Sequence, residues 1–186
     1  MVNRSSALDI NYHIGKNPTN NLIGINFKKT ENLNLSQVAC WPNTVDKVGT
    51  LLAKHLDIPD YSRPNQVFSN KSKVLMRIEP LKWWLLKSDL PLLSTQDGTT
   101  LDLSHSYTQI VVSGTHSKIF LNRFLPIDLR KTSFPVNYCA SSVIHHVSVK
   151  LWRSENEFNL FIPRGFAFSL WEIFLDTASQ FGFEVK

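Results

Sequence analysis

The hydrophobic and polar positions divide the chain into a polar first segment and a patterned remainder. Residues 1–32 are polar and rich in amides, apart from the apolar stretch 22–25, and they predict an N-terminal arm. Such an arm is either a floppy terminus or a strap that orders against a partner. From residue 33 the hydrophobic positions recur with the periods of strands and helices, which predicts a single α+β domain over residues 33–186.

The first half of this region predicts a strand, a helix and a long extended segment. The apolar run 38–41 predicts the strand, which Pro42 ends. The helix has its hydrophobic residues on one face, at Val45, Val48, Leu51, Leu52 and Leu56. Residues 57–72 contain two prolines and predict a loop. Residues 73–87 predict either two strands in line or one long strand with a bulge or an edge at Pro80.

Two adjacent tryptophans, Trp83 and Trp84, lie in that extended segment. Neighbouring side chains of a strand point to opposite faces of its sheet. Both faces of this strand must therefore be covered, and one of them is a candidate docking face for another protein.

The second half predicts three strands and two helices. Extended segments are expected over 101–112, 141–152 and 158–162, and the last two should form a hairpin across residues 153–156. Helical spacing of hydrophobic residues predicts a short helix after Thr115 and a final helix over 166–181.

The order of these elements favours two split βαβ units of the ferredoxin-like kind. Such units form a mixed or antiparallel sheet with helices packed mainly on one face. The predicted fold class is therefore α+β.

Composition narrows the classes of function. Among 186 residues, 42% are hydrophobic and 19% are charged, and the net charge is +5. The basic residues are scattered singly along the chain, except for the adjacent pairs Lys28-Lys29 and Arg130-Lys131. A nucleic-acid-binding surface would cluster its basic residues, so no nucleic-acid partner is predicted. No apolar run approaches the ~18 residues of a membrane span. We expect a cytoplasmic chain with no membrane association.

The polar residues predict no catalytic, cofactor or metal site. His145 and His146 are neighbours on a predicted strand and face opposite sides, and His145 lies among valines, as a buried core histidine would. The two cysteines form no CxxC pair, and the glycines form no phosphate-binding loop. Asp102, Ser104 and His105 contain the atoms of a catalytic triad, but Ser104 and His105 point to opposite faces of an extended segment.

One passage changes this picture. Residues 102–106 (DLSHS), followed by Ser113-Gly114, resemble the strand-to-helix passage of the glycine-cleavage T-protein and aminomethyltransferase superfamily. The chain more specifically resembles the gamma subunit family of heterotetrameric sarcosine oxidase. That resemblance extends in order through residues 38–175, in the stretches 74–75, 80–86, 102–106, 121–123, 125–129, 146–149, 158–167 and 169–171, and at Phe134.

The resemblance implies the fold of the T-protein folate-binding core and membership in a four-subunit bacterial flavoenzyme. Such an enzyme oxidatively demethylates sarcosine to glycine. Its FAD, FMN, NAD and tetrahydrofolate lie on other subunits, so this chain is expected to bind no cofactor alone and to be non-catalytic. Its partners would be alpha, beta and delta subunits. The alternatives are a related N-methyl amino acid dehydrogenase complex and a stand-alone tetrahydrofolate-binding one-carbon protein.

Eight residues are candidates for a partner interface or for the family's motifs, and none is assigned a catalytic role. They are Trp83, Trp84, Asp102, Ser104, His105, Arg123, Asp128 and Arg164. Aromatic residues and arginines are enriched at the centres of protein interfaces, which become buried when the partners bind.

Overall fold

A computed structural model describes residues 6–9, 11–61, 63–70 and 72–186. The chain folds into two compact units. The seven-stranded unit is built from the described residues of Met1–Glu31, Ser106–Val136 and Ser142–Lys186, and the five-stranded unit from those of Asn32–His105 and Asn137–Ser141.

The described residues form twelve strands and three α-helices, with short 3₁₀ turns at Pro42–Thr44, Arg164–Phe166 and Ser179–Phe181. The helices are α1 (Val45–Leu56), α2 (Ser117–Leu121) and α3 (Ala167–Ala178). The strands are β1 (Gly15–Asn17), β2 (Ile25–Lys29), β3 (Leu35–Cys40), β4 (Val67–Asn70), β5 (Lys73–Glu79), β6 (Lys82–Leu86), β7 (Gly98–Asp102), β8 (Tyr107–Ser113), β9 (Tyr138–Ile144), β10 (Val147–Arg153), β11 (Glu157–Pro163) and β12 (Phe183–Val185).

The five-stranded unit is an antiparallel sheet in the order β4-β5-β6-β3-β7, with α1 packed on one face. The apolar face of α1 enters a core with residues of β3, β5 and β6 because its hydrophobic positions recur at helical spacing. That core contains Val38, Cys40, Val48, Leu52, Leu56, Leu75, Trp83 and Leu85.

The seven-stranded unit is a mixed sheet in the order β1-β12-β2-β8-β11-β10-β9, in which β12 and β2 run parallel. Its core is aromatic. The Phe27 ring of β2 meets Phe120 of α2 at 5.4 Å and Trp171 of α3 at 5.2 Å, both edge-on. Edge-on ring pairs contribute beyond the area they bury, so these contacts fix the two helices on the sheet.

The predicted α+β class is confirmed, but the strands divide between two sheets. The predicted strand 101–112 is two strands, β7 and β8, one in each sheet. A turn separates them because the Asp102 carboxylate accepts a hydrogen bond from the Ser104 backbone N–H at 2.9 Å. This local hydrogen bond competes with continuation of the strand.

Two further segments that were predicted to be extended are each interrupted by a turn. Residues 73–87 form a hairpin, not strands in line, because Pro80 lies in the turn between β5 and β6. Residues 141–152 also turn back, at His145 and His146, where His145 adopts a positive φ of 53°. Both histidines are exposed, so the prediction of a buried His145 is wrong.

The predicted loop 57–72 contains β4, and the predicted arm 1–32 contains β1 and β2. Leu8, Ile25 and Phe27 are fully buried in the seven-stranded unit. Alternation of Ile25 and Phe27 places both side chains on the core face of β2. Much of this polar segment is therefore part of the folded structure.

Candidate functional site

Trp83 and Trp84 are covered within this chain. Both are essentially inaccessible, with exposed fractions of 0% and 1%. The Arg77 guanidinium lies 4.8 Å from the Trp83 ring centre, and the Trp84 indole donates to Gln37 Oε1 at 3.2 Å. The expectation that both faces of the strand are covered is confirmed. The two side chains offer no surface to a partner.

Asp102, Ser104 and His105 lie in the turn that ends β7. The Ser104 hydroxyl accepts from the Leu35 backbone N–H at 3.1 Å and donates to the Leu35 carbonyl at 3.3 Å. Asp102 caps the turn, and His105 is exposed. Since the Ser104 hydroxyl is committed to the backbone, the three residues form a structural turn and not a nucleophilic triad.

Arg123, Asp128 and Arg164 belong to the seven-stranded unit, where each has its own contacts. The Arg123 guanidinium lies 4.6 Å from the Phe181 ring centre. Asp128 accepts from the Arg130 guanidinium and, at 2.6 Å, from the Ser133 hydroxyl, and these donors hold its pKa far below the usual range. The Arg164 backbone N–H donates to the Ser106 carbonyl at 2.8 Å.

A buried charge cluster surrounds Lys29, a residue that the sequence did not single out. Its side chain is only 6% exposed, and its ammonium group pairs with Asp9 and, at 3.1 Å, with Glu31. The ammonium also lies 5.0 Å from the ring centre of Tyr12. Burial lowers the pKa of Lys29, but the two carboxylates outweigh burial and the net pKa is raised.

The two ion pairs hold Lys29 as a cation between Asp9 and Glu31, whereas a nucleophilic lysine needs a lowered pKa. The Lys29 backbone N–H donates to the Tyr12 hydroxyl at 2.6 Å, which attaches the first described residues to β2. The Trp171 indole donates to the Asn11 carbonyl at 3.2 Å and stacks on Tyr12 at 5.3 Å, which attaches the same segment to α3. The period-two pattern Ile25, Phe27, Lys29 is the signal that could have revealed it, since it places Lys29 on the buried face of β2.

The outer surface of α3 is apolar and acidic. Phe166 is 52% exposed in the turn before the helix, and Phe168 and Ile173 are 41% and 37% exposed. Glu172 and Asp176 are exposed on the same surface. Residues 168, 172 and 176 follow one another at four-residue spacing and form one row along the helix. We call these five residues the α3 face.

Comparison with solved structures identifies the fold. The chain is similar to a chain of the heterotetrameric sarcosine oxidase from Corynebacterium sp. U-96, with a TM-score of 0.78 and 17% identity over 96% of both chains. It is also similar to glycine cleavage system aminomethyltransferase T from Bartonella henselae, with a TM-score of 0.63 and 14% identity. The chain has an aminomethyltransferase-like fold.

The two likenesses differ in extent. The aminomethyltransferase match covers 88% of this chain but only 48% of that protein, so the chain spans about half of its length. The sarcosine oxidase chain is matched over nearly its whole length. No protein-family model matches the sequence, and no curated protein matches it significantly.

Within this aminomethyltransferase-like fold, the described residues contain no group of three or more His, Cys, Asp or Glu side chains that could hold a metal ion. In residues 6–9, 11–61, 63–70 and 72–186, no helix is long and apolar enough to cross a membrane. Among the residues that the structure describes, the α3 face combines exposed large hydrophobic side chains with exposed carboxylates.

Proposed function

We propose that this chain is the non-catalytic gamma-type subunit of a sarcosine oxidase-type complex that oxidatively demethylates sarcosine to glycine. Its partners in this proposal are alpha, beta and delta subunits, and FAD, FMN, NAD and tetrahydrofolate belong to other subunits. The chain itself would contribute to assembly in the cytoplasm.

One observation carries the proposal. The fold likeness spans 96% of this chain and 96% of a chain of a heterotetrameric sarcosine oxidase, whereas it spans only 48% of the aminomethyltransferase. A likeness that covers nearly the whole of the sarcosine oxidase chain favours the role of a subunit over that of a one-carbon enzyme. The commitment of Ser104 to backbone hydrogen bonds supports a non-catalytic role for the motif that carries the resemblance.

Co-expression tests the proposal. A tagged form of this chain should recover candidate alpha, beta and delta chains of a sarcosine oxidase-type enzyme in one complex that consumes oxygen with sarcosine. Recovery of none of these chains would overturn the proposal. Assembly with oxidation of another N-methyl amino acid would keep the subunit role and change the substrate.

A stand-alone tetrahydrofolate-binding protein is the second candidate, favoured by the likeness to aminomethyltransferase T. Calorimetric titration of the isolated chain with tetrahydrofolate distinguishes this candidate from the subunit proposal. The subunit proposal expects no heat of binding from this chain alone. Saturable binding without any protein partner would favour the second candidate.

A further inference from the structure

We propose that the α3 face is a docking site for an apolar segment of a partner subunit that carries Lys or Arg residues. This inference deepens the proposed function, because it supposes a protein complex. It assigns the contact to the α3 face and to a partner segment that is both apolar and basic. The α3 face has the two properties that such a segment recognises, which are exposed large hydrophobic side chains and negative charge.

The charges of the α3 face are unfavourable in the chain alone. Glu172 and Asp176 are four residues apart, a spacing at which like charges repel. Asp176 lies in the last turn of α3, where the helix dipole is negative and cations are preferred. The last turn of α3 contains no basic residue. Both effects would be relieved by a cation from outside the chain.

The two carboxylates also have no partner of their own. Neither Glu172 nor Asp176 forms an ion pair or side-chain hydrogen bond with the residues that the structure describes. This is notable in a chain with 20 basic and 15 acidic residues. The hydrophobic neighbours Phe168 and Ile173 are exposed on the same helix.

Charge selects the occupant. A second copy of this chain would bring the same acidic face against itself in a two-fold dimer, and like charges placed opposite each other in an interface are costly. An anionic membrane surface attracts basic segments and repels acidic ones. A basic and apolar protein segment satisfies both the carboxylates and the aromatic side chains.

The test uses the complex with the full chain. The isosteric variant E172Q/D176N removes both charges and keeps the shape of the surface, and I173S removes an apolar contact. E155Q/E157Q is the matched control, because it removes two exposed carboxylates from the β10–β11 hairpin of the same unit. We expect E172Q/D176N and I173S each to weaken recovery of the partner chains about tenfold, and the control to leave recovery unchanged.

A second measurement separates loss of docking from loss of folding. The two carboxylates repel each other, and Asp176 is unfavourable at the negative end of the helix dipole. E172Q/D176N should therefore raise the Tm of the isolated chain by about 2 °C while it weakens the complex. A folding defect would lower the Tm. If E172Q/D176N and I173S recover partner chains as well as the wild type does, the docking site is wrong and the subunit role stands.

The surface is also probed without those partners, by calorimetry with a synthetic amphipathic Lys/Leu helix and with a Glu/Leu helix of equal length. We expect the chain to bind the basic peptide only, and E172Q/D176N to lose that binding while E155Q/E157Q keeps it. If no subunits assemble but this peptide result holds, the proposed function fails and the docking site stands. If neither the subunits nor the basic peptide bind, the docking site is overturned.

Discussion

Helices α1 and α3 are each twelve residues long and each bury five residues in the core of their own unit, but they present different outer surfaces. The exposed surface of α1 is polar, with Asp46, Lys47, Thr50 and Lys54. Asp46 lies in its first turn and Lys54 in its last, as the helix dipole favours. The exposed surface of α3 is apolar and acidic, and Asp176 in its last turn opposes the dipole.

This difference separates two kinds of helix surface. The charges of α1 stabilise the isolated chain and need no further explanation. Those of α3 are unfavourable in the isolated chain and accompany exposed aromatic rings, which is the combination on which the proposed docking site rests. Patches of exposed apolar surface commonly mark interaction sites.

The largest expected effect contrasts the inner faces of the two helices. Trp171→Ala should lower the free energy of unfolding by about 4 kcal/mol, and Leu52→Ala by about 3 kcal/mol. Trp171 contacts the Phe27 and Tyr12 rings and donates to the Asn11 carbonyl, whereas Leu52 contributes apolar packing alone. Urea denaturation followed by far-UV circular dichroism measures both. A larger loss for Leu52→Ala would show that α1 and not α3 has the more tightly packed inner face.

A smaller effect contrasts the buried arginines of the two units. Arg153 donates to the Leu129 carbonyl at 3.1 Å and to the Phe134 carbonyl at 2.8 Å, so it ties a long loop to β10. Arg77 donates to the nearby Pro80 carbonyl, only three residues along the chain, and lies 4.8 Å from the Trp83 ring centre. Arg153→Met should cost about 3 kcal/mol, because two carbonyls lose their donor, and Arg77→Met about 1.5 kcal/mol.

The same denaturation experiment ranks the two arginine variants, with Lys131→Met, at an exposed position, as the control. Equal losses for Arg153→Met and Arg77→Met would mean that the loop is held mainly by other contacts. Leu129 and Phe134, which are both buried, would then be the anchors.

The buried cation of the seven-stranded unit gives a pH-dependent prediction. The pKa of Lys29 is raised, so its contribution to stability is complete below about pH 10.4 and is lost as pH rises through the folded-state pKa. The pKa of Asp9 is lowered by Lys29, so its contribution is present above about pH 3.9 and is lost as pH falls through the lowered pKa.

Lys29→Met should therefore reduce the loss of stability at both ends of the pH range, while costing about 1 kcal/mol at neutral pH because Asp9 and Glu31 are partly hydrated. Tyr12, Tyr61 and Cys40 also have raised pKa values, so a weaker alkaline loss should remain in the variant. Denaturation midpoints between pH 3 and pH 11 test this expectation. An unchanged alkaline slope in Lys29→Met would exclude Lys29 as its source.

The sequence was sufficient to locate the helices and strands that are determined by the spacing of residues close together in the chain. The spacing of Val45, Val48, Leu52 and Leu56 located α1, and Gly182 lies after the final helix as expected. Alternation across residues 158–162 located β11. In these cases the pattern of burial and the local turn residues point to the same structure.

Long-range pairing was beyond the sequence pattern. Residues 101–112 read as one extended segment in the sequence, whereas the Asp102–Ser104 turn divides them and their two halves pair in different sheets. The position of Lys29 depends on Asp9 and Glu31 as partners, and the Asp9 contact joins residues twenty positions apart. The burial of Trp84 likewise depends on pairing between β6 and β3, which strand propensity does not specify.

The smallest expected effect tests the comparison of α1 with α3 most directly. Asp176→Asn removes a charge that opposes the dipole of α3 and should raise the Tm by about 1 °C. Lys54→Gln removes a charge that favours the dipole of α1 and should lower the Tm by a similar amount. The two shifts, measured by differential scanning calorimetry in low salt, should have opposite signs. Both should shrink in about 1 M NaCl, where the Debye length is only about 3 Å. Shifts of the same sign, or shifts that persist in high salt, would mean that packing rather than helix electrostatics distinguishes the outer faces of α1 and α3. The argument for a basic partner would then rest on Glu172 and the exposed hydrophobic side chains alone.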